Sequence, residues 1–381
     1  MADSKVSALT EDATPGLDSL IYTVDDPAGT PASRKTPLSD VRSVLSMYDV
    51  IIATSGGDHT TFNSYFTAGA TSGDRVFVQD SHTLTASISD STTNLVIEGA
   101  GREGTRVDLA TNNVSLTLSG AGVEMKDLGF DGGTGTTAKL VLSGANSNAN
   151  NIEYDCAQPF INNVTFSGVN QHINNCRFIN TYSSTLTNSA FVICSGEESK
   201  FISNYVEGQG TWVTVSRAVF VSTGMSKGTV SGNTFIANNS QANGYNLCGD
   251  GGSSGVTWTD NNFYNEDTSV TVVAIYFQAT ESTFTGNRID GDIDKGVHVL
   301  NNGNTITGNN IKSDTISGTE GVHIDSGNDN VIVGNRITGY ATGILIDSGS
   351  NRTVAAPNAL NGNTTTITDN GTSTSTDGSN T

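Results

Sequence analysis

The sequence predicts an all-β chain, a single-stranded parallel β-helix of about eleven coils of 22–29 residues, preceded by a small N-terminal module and a short capping helix. Three observations carry this reading. One phrase recurs: FINNVTF, HINNCRF, FISNYV, VSGNTF, WTDNNF, FTGNRI, ITGNNI and IVGNRI. Its Asn falls at Asn163, Asn175, Asn204, Asn233, Asn262, Asn287, Asn309 and Asn335, so from Asn175 onward the steps are 29, 29, 29, 25, 22 and 26, the period of a solenoid. A second phrase precedes the later Asn positions by 13 to 15 residues: AFVICS, AVFVST, AIYFQA, GVHVLN, GVHIDS and GILIDS. Finally, 43 of 381 residues are Gly and only 35% are hydrophobic, and the polar excess is Asn, Gly, Ser and Thr, the residues of turns and ladders.

Each phrase is a short alternating strand set off by turn residues, which is strand periodicity and not helix periodicity. Such a strand cannot bury its apolar side alone. Coils stacked at about 4.8 Å bury a continuous interior column of Val, Ile and Phe. An Asn repeated once per coil can form an amide ladder while tolerating left-handed backbone. Asn204, Asn233, Asn262, Asn287, Asn309 and Asn335 are therefore read as scaffold, and loss of one rung should cost about 1–3 kcal/mol.

The first 47 residues differ from the rest: four of the six prolines fall before residue 40, and a helix-like stretch starts at Pro37. Residues 48–72 read as a linker with a short helix near Thr60 to Ala68. Phe62, Tyr65 and Phe66 share one of its faces and can plug the exposed first coil. The β-helix is expected over residues 73–366, and residues 367–381 form a polar tail of low complexity.

With 18 Lys+Arg against 38 Asp+Glu the net charge is −20, which argues against a nucleic-acid partner. No run of 18 apolar residues exists and the N-terminus lacks a signal-peptide pattern, so no membrane insertion is expected. Cys156, Cys176, Cys194 and Cys248 show no Cys-x-x-Cys pair and read as reduced thiols in the core. Asp290, Asp292 and Asp294 have the alternate spacing of a calcium loop without its later bidentate Glu, so no metal and no cofactor is assigned.

From about Gly73, the strings GDRVFVQD, NLVIEGAGREGTRVDL and VEMKDLGFDGG, with Asp127 standing where later coils carry Asn, resemble the opening of the pectin-lyase-like right-handed β-helix superfamily. The resemblance implies the fold and its hand, in line with the handedness of parallel crossovers. It implies no single activity, because that superfamily holds lyases, hydrolases and noncatalytic attachment proteins. The Asp-Asp, Gly-His-Gly and Arg-Ile-Lys phrases of its pectinolytic members are missing from the rod: the chain has RID and RIT, and its only Asp-Asp pair is Asp25 with Asp26. Lys5, Leu9, Asp18, Leu20, Ile21, Val24, Asp25, Arg34, Lys35, Leu38 and Val41 match a short N-terminal module of tailed-bacteriophage virion proteins. That resemblance implies that residues 1–47 attach the chain to other virion proteins, that the protein is located on the virion, and that a homotrimer, usual for tail spikes, would form through the rod faces or the module.

Aligning the second phrase puts Val192, Phe220, Tyr276, His298, His323 and Leu345 in one outward column. Two readings are open for this apolar and aromatic stripe: a face covered by a subunit or loop, or a surface on which rings lie against sugars. Trp212, Tyr245 and Trp258, in or beside the long turns, join Tyr276 and His298 as glycan-binding candidates. Tyr205, Tyr264, Glu197, Glu198 and Glu207 lie near the same turns. Asp325 shares the outer face with His323, and Asp347 follows 22 residues later. Two stacked carboxylates about 5 Å apart could serve as acid and nucleophile in glycosidic cleavage, the alternative being ordinary solvated turn aspartates. Three functions follow from different classes: a noncatalytic tail-spike-like rod that recognises a host surface polysaccharide, a glycan depolymerase on the same fold, and a purely structural capsid or tail decoration.

Overall fold

A computed structural model describes residues 20–25, 32–37, 48–134, 137–157, 162–181, 190–209, 219–238, 245–265, 272–314 and 318–376. Within residues 1–47 the described strands Leu20–Asp25 and Ala32–Pro37 pair antiparallel. The helix expected from Pro37 lies outside the described residues.

The rod is built of three long sheets. The first has twelve strands from Val50–Ile52 to Val331–Val333, the second eleven from His82–Thr83 to Arg336–Thr338, and the third twelve from Ile88–Asp90 to Thr365–Asp369. Away from the two ends of the rod, neighbours within each sheet are three strands apart in the chain and pair in parallel, so one strand of each sheet makes one coil. Eleven such coils follow, from the strand Arg75–Val78 to the strand Tyr340–Asn351. Alternation along each strand aims every second residue inward. In the first sheet Ile97, Met125, Ala149, Ile173, Phe201, Val230, Trp258 and Phe284 succeed one another in register, each at most 1% exposed. Each large side chain so buried stabilises the rod by about 1.5–3 kcal/mol before chain entropy is counted. The four cysteines are buried in this core.

The corner between the first and second sheets explains the recurring Gly-Asn phrase. A left-handed residue turns the chain, at Ser203, Gly232, Asp260, Gly286, Gly308 and Gly334, and the next residue points its amide inward. The N–H of Asn204 donates to Asn233 Oδ1 (2.8 Å), that of Asn233 to Asn261 Oδ1 (3.0 Å), and that of Asn261 to Asn287 Oδ1 (2.9 Å). Asn287, Asn309, Asn335 and Asn358 continue the ladder at 2.8–3.0 Å. The rung in the WTDNNF coil is therefore Asn261 and not Asn262, which opens the next strand, half-buried, on its outer side. By the same one-residue slip Asp127 and Asn175 are left-handed turn residues, and the inward positions beside them are Leu128 and Cys176.

A second ladder that the phrase does not announce runs through Ser282, Asn304 and Asn330, each accepting from the backbone N–H one coil earlier. In earlier coils that corner also stacks Gly120, Gly144, Gly168 and Gly196. A Cβ on Gly144 would stand 1.7 Å from the Gly120 carbonyl oxygen, so only glycine lets the coils close there.

The rod's limits differ from the expected 73–366. Val50–Ile52 pairs with Val76–Val78, so the stack begins inside the segment read as linker. At the far end Thr365–Asp369 pairs with the preceding coil, and bridges at Thr372 and Ser375 carry the stack into the expected tail. The helix Phe62–Ala68 starts at a Thr61 capping box and buries Phe62 and Tyr65 in the same core as Ile52 and Val76.

Candidate functional site

The third sheet positions the predicted acids. Its strands Val272–Phe277, Lys295–Val299, Gly318–Asn328 and Tyr340–Asn351 lie in register with Ile275, Val297, Val322 and Ile344 inward, all fully buried. The next residue of each strand points outward, which aligns Tyr276, His298, His323 and Leu345 on the rod's surface. Val192 and Phe220 do not belong to this column. They point inward and are fully buried, and their outward neighbours are Ile193 and Val221.

His298 and His323 stack with ring centroids 4.6 Å apart and planes 2° from parallel, and Tyr276 meets His298 edge-on at 5.1 Å. Each imidazole is tied to a carboxylate of the following coil: His298 Nε2 to Asp325 Oδ2 at 3.3 Å, and His323 Nε2 to Asp347 Oδ2 at 3.0 Å. Asp325 and Asp347 each follow a paired inward residue, Ile324 and Ile346, so strand alternation puts both on the outer face; the register shifts only after that pair. One ligating atom from each of His323, Asp325 and Asp347 lies within 4.8 Å of the others. The histidine side chains are 14% and 9% exposed while Asp325 and Asp347 are 45% and 36% exposed, so the carboxylates face solvent over a buried imidazole floor.

Two residues that the sequence reading passed over complete the network. Lys295 Nζ lies 2.9 Å from His323 Nδ1 and 3.1 Å from Glu320 Oε2. An ammonium only donates, so Nδ1 of His323 accepts and its proton sits on Nε2, toward Asp347. Lys295 and Glu320 stand directly before the Gly-Val-His phrases at Val297 and Val322, and extending the alignment back by two residues pairs them. Burial, then His323 and Lys295, push the pKa of His298 down to about 4, so it is neutral near pH 7 and donates from Nε2 to Asp325. Burial and the Asp325 carboxylate raise Tyr276.

The other candidates are dispersed. Trp258 is fully buried in the first-sheet column, with Nε1 donating to Asp250 Oδ2 at 3.3 Å, so it cannot meet a glycan. Tyr245 opens the strand Tyr245–Asp250 with its side chain outside the described residues, and Trp212 lies outside them entirely. Tyr205 packs under Arg177 and donates to Glu207 at 2.7 Å, and Glu197 pairs with Lys227 at 3.1 Å. Asp290 pairs with Arg288 and Lys312.

Comparison with known proteins gives the following. The family model "NosD: Periplasmic copper-binding protein" matches residues 245–380. No curated protein matches. Among solved structures, the A-module of the mannuronan C-5 epimerase AlgE6 of Azotobacter vinelandii superposes with a TM-score of 0.53 at 16% identity, covering 82% of this chain and 92% of that one. The pre-mature gene product 12 of bacteriophage phi29 gives 0.49 at 11% identity over 81% and 54%, and the Dettilon tailspike protein gp208 gives 0.44 at 12% over 79% and 62%.

The matched segment 245–380 holds the histidine–aspartate cluster, so its fit to copper can be tested. Copper takes a lone pair from an imidazole nitrogen. The Nε2 atoms that face Asp325 and Asp347 both carry protons, that of His323 because Lys295 occupies the other nitrogen. These residues do not fit copper as they stand. What the strand order and the superposition share is the fold: the chain is an all-β parallel β-helix of about eleven coils.

Proposed function

We propose that the chain is a glycan-acting rod whose third-sheet face binds a polysaccharide and hydrolyses it at Asp325 and Asp347. The observation that carries this is the pair of exposed carboxylates brought within 4.8 Å, each on its own histidine. That spacing is near the roughly 5 Å between the acids of retaining glycosidases. Asp347 is the nucleophile: the chain Glu320–Lys295–His323 ends on it and fixes its orientation. Asp325, bonded to His298, is placed as the general acid toward the leaving oxygen. Tyr276 and Leu345 border the acids and offer flat apolar surface to a sugar ring. That a mannuronan C-5 epimerase module is built on the same fold agrees with a polymeric sugar as ligand.

In this reading the rod is particle-associated: residues 1–47 join it to other virion proteins of a tailed phage, and its long face, in a homotrimer, meets the host's surface polysaccharide. Recognition without cleavage is the second reading, favoured by the Tyr276–His298 aromatic contact on the outer face. Incubation of the whole chain with capsular polysaccharide and lipopolysaccharide preparations, reading retention and new reducing ends together, separates the two. New reducing ends support hydrolysis, retention alone supports the adhesin, and neither across the panel removes glycan from the account.

A further inference from the structure

The second sheet carries a polar constellation that the proposed chemistry does not use. In its outer column Thr83, Asp108, Asp131 and Asp155 succeed one another in register on four successive coils. In the neighbouring column Gly129 separates Arg106 from Glu153. A Cβ on Gly129 would stand 3.0 Å from Arg106 Cγ and 2.2 Å from the Arg102 carbonyl oxygen, so its absence gives Arg106 room to lie across the coil. Arg106 then reaches Glu153 at 2.7 Å and the Phe130 carbonyl at 3.2 Å, while Arg177 holds the other Glu153 oxygen at 3.0 Å.

Beside Arg106 lies an open cavity of about 300 Å³, lined by Ser81, His82, Thr83, Arg106, Asp108 and Asp131. That volume is at the small end of ligand pockets and suits one sugar ring. His82 is 5% exposed and bonds the Ile52 backbone, and its Nε2 has no hydrogen-bond partner among the described residues. Burial lowers its pKa, so Nε2 presents a lone pair. Such a buried acceptor is costly unless something donates to it. Asp131 spends Oδ1 on the Gly133 N–H at 2.9 Å, which leaves Oδ2 as a second acceptor.

We infer that this cavity is a second saccharide site, separate from the third-sheet face, and that it takes one uncharged sugar unit. Hydroxyls of the ring donate to His82 Nε2 and Asp131 Oδ2, and Arg106 and Ser81 supply donors in return. A uronate is disfavoured, because Asp108 and Asp131 line the cavity and Glu153 already offsets the Arg106 charge. Seven coils separate Asp131 from Asp325, roughly 34 Å at about 4.8 Å per coil, and the two lie on different sheets. The cavity is thus a holding site on the rod and not an extension of the other face, and it does not depend on the Asp325–Asp347 chemistry.

The test uses the full chain with its five histidines labelled in the ring nitrogens. Methyl glycosides of glucose, galactose and mannose, and galacturonate as the charged counterpart, are titrated while the His82 Nε2 resonance is followed. One or more neutral glycosides should move it with a Kd on the order of 1 mM. Asp131→Asn should weaken that binding about tenfold with an unchanged melting curve, Asp325→Asn should leave it untouched, and galacturonate should leave the resonance in place. The inference is overturned if no neutral glycoside moves His82, if galacturonate binds as tightly, or if Asp131→Asn has no effect.

Discussion

Lys295 donates to Nδ1 of His323 at 2.9 Å, and this one contact decides which nitrogen of the ring faces Asp347. It ties a cation on one coil to a carboxylate two coils away through a nearly buried imidazole. Replacing Lys295 by Met should leave the fold intact, let the His323 proton move to Nδ1, and lower cleavage about 10- to 100-fold. Ring-nitrogen NMR reads the tautomer directly, and an unchanged His323 spectrum in the variant would refute the assignment.

His298 sits between that network and Tyr276 with a folded pKa pushed down to about 4, below the ordinary value of 6.5. A depressed histidine stabilises the fold fully above its unfolded pKa, and that contribution is lost as pH falls from about 6.5 through about 4. NMR titration should find the His298 midpoint near 4. Asp325 opposes this depression, so Asp325→Asn should move the midpoint lower still; a rise would contradict the pairing.

Asp250 has the opposite sign. It is fully buried, its Oδ1 has no hydrogen-bond partner among the described residues, and burial raises its pKa to about 6 despite the bond from Trp258. The folded state holds this proton more tightly than the unfolded state, so stability declines as pH rises from about 4 to about 6 and is level above. The span is worth about 3 kcal/mol by the pKa difference. Asp250→Asn should remove the slope and raise the melting temperature at pH 7; equal melting of variant and parent at pH 7 would show that the acid is not buried as described.

Asn287 accepts from Asn261 and donates to the Trp258 carbonyl and to Asn309, while Asn262 lies outside this ladder. Asn287→Ala should cost about 1–3 kcal/mol and Asn262→Ala less than about 0.5 kcal/mol, with glycan retention unchanged in both. Equal losses in thermal melting would mean the ladder does not run through position 287.

The repeat was legible because the inward position of each coil is fixed by stacking and recurs whatever the loops do. Register was harder. In WTDNNF two Asn stand side by side, and in AFVICS and AVFVST two apolar residues do, so period-two alternation does not say which one points inward. Hydrogen bonds and burial choose Asn261, Phe191 with Val192, and Val219 with Phe220. Trp258 was misplaced for a related reason: a tryptophan near a long turn reads as a binding residue, yet it occupies the column of Val230 and Phe284. The acids and histidines at 298, 323, 325 and 347 were found because their phrases are regular. The second-sheet cavity has no phrase at all. It arises where Gly129 leaves out a side chain and Arg106 bends across, a relation between coils that no linear motif records.

The central claim is that Asp325 and Asp347 together break a glycosidic bond. Release of reducing ends from a polysaccharide that the chain retains should be measured for the parent, Asp325→Asn and Asp347→Asn. Each substitution should lower the rate about 10²- to 10⁴-fold while retention stays within about twofold. Cleavage at the parent rate in both variants, or no cleavage by the parent of any polysaccharide it retains, would contradict it.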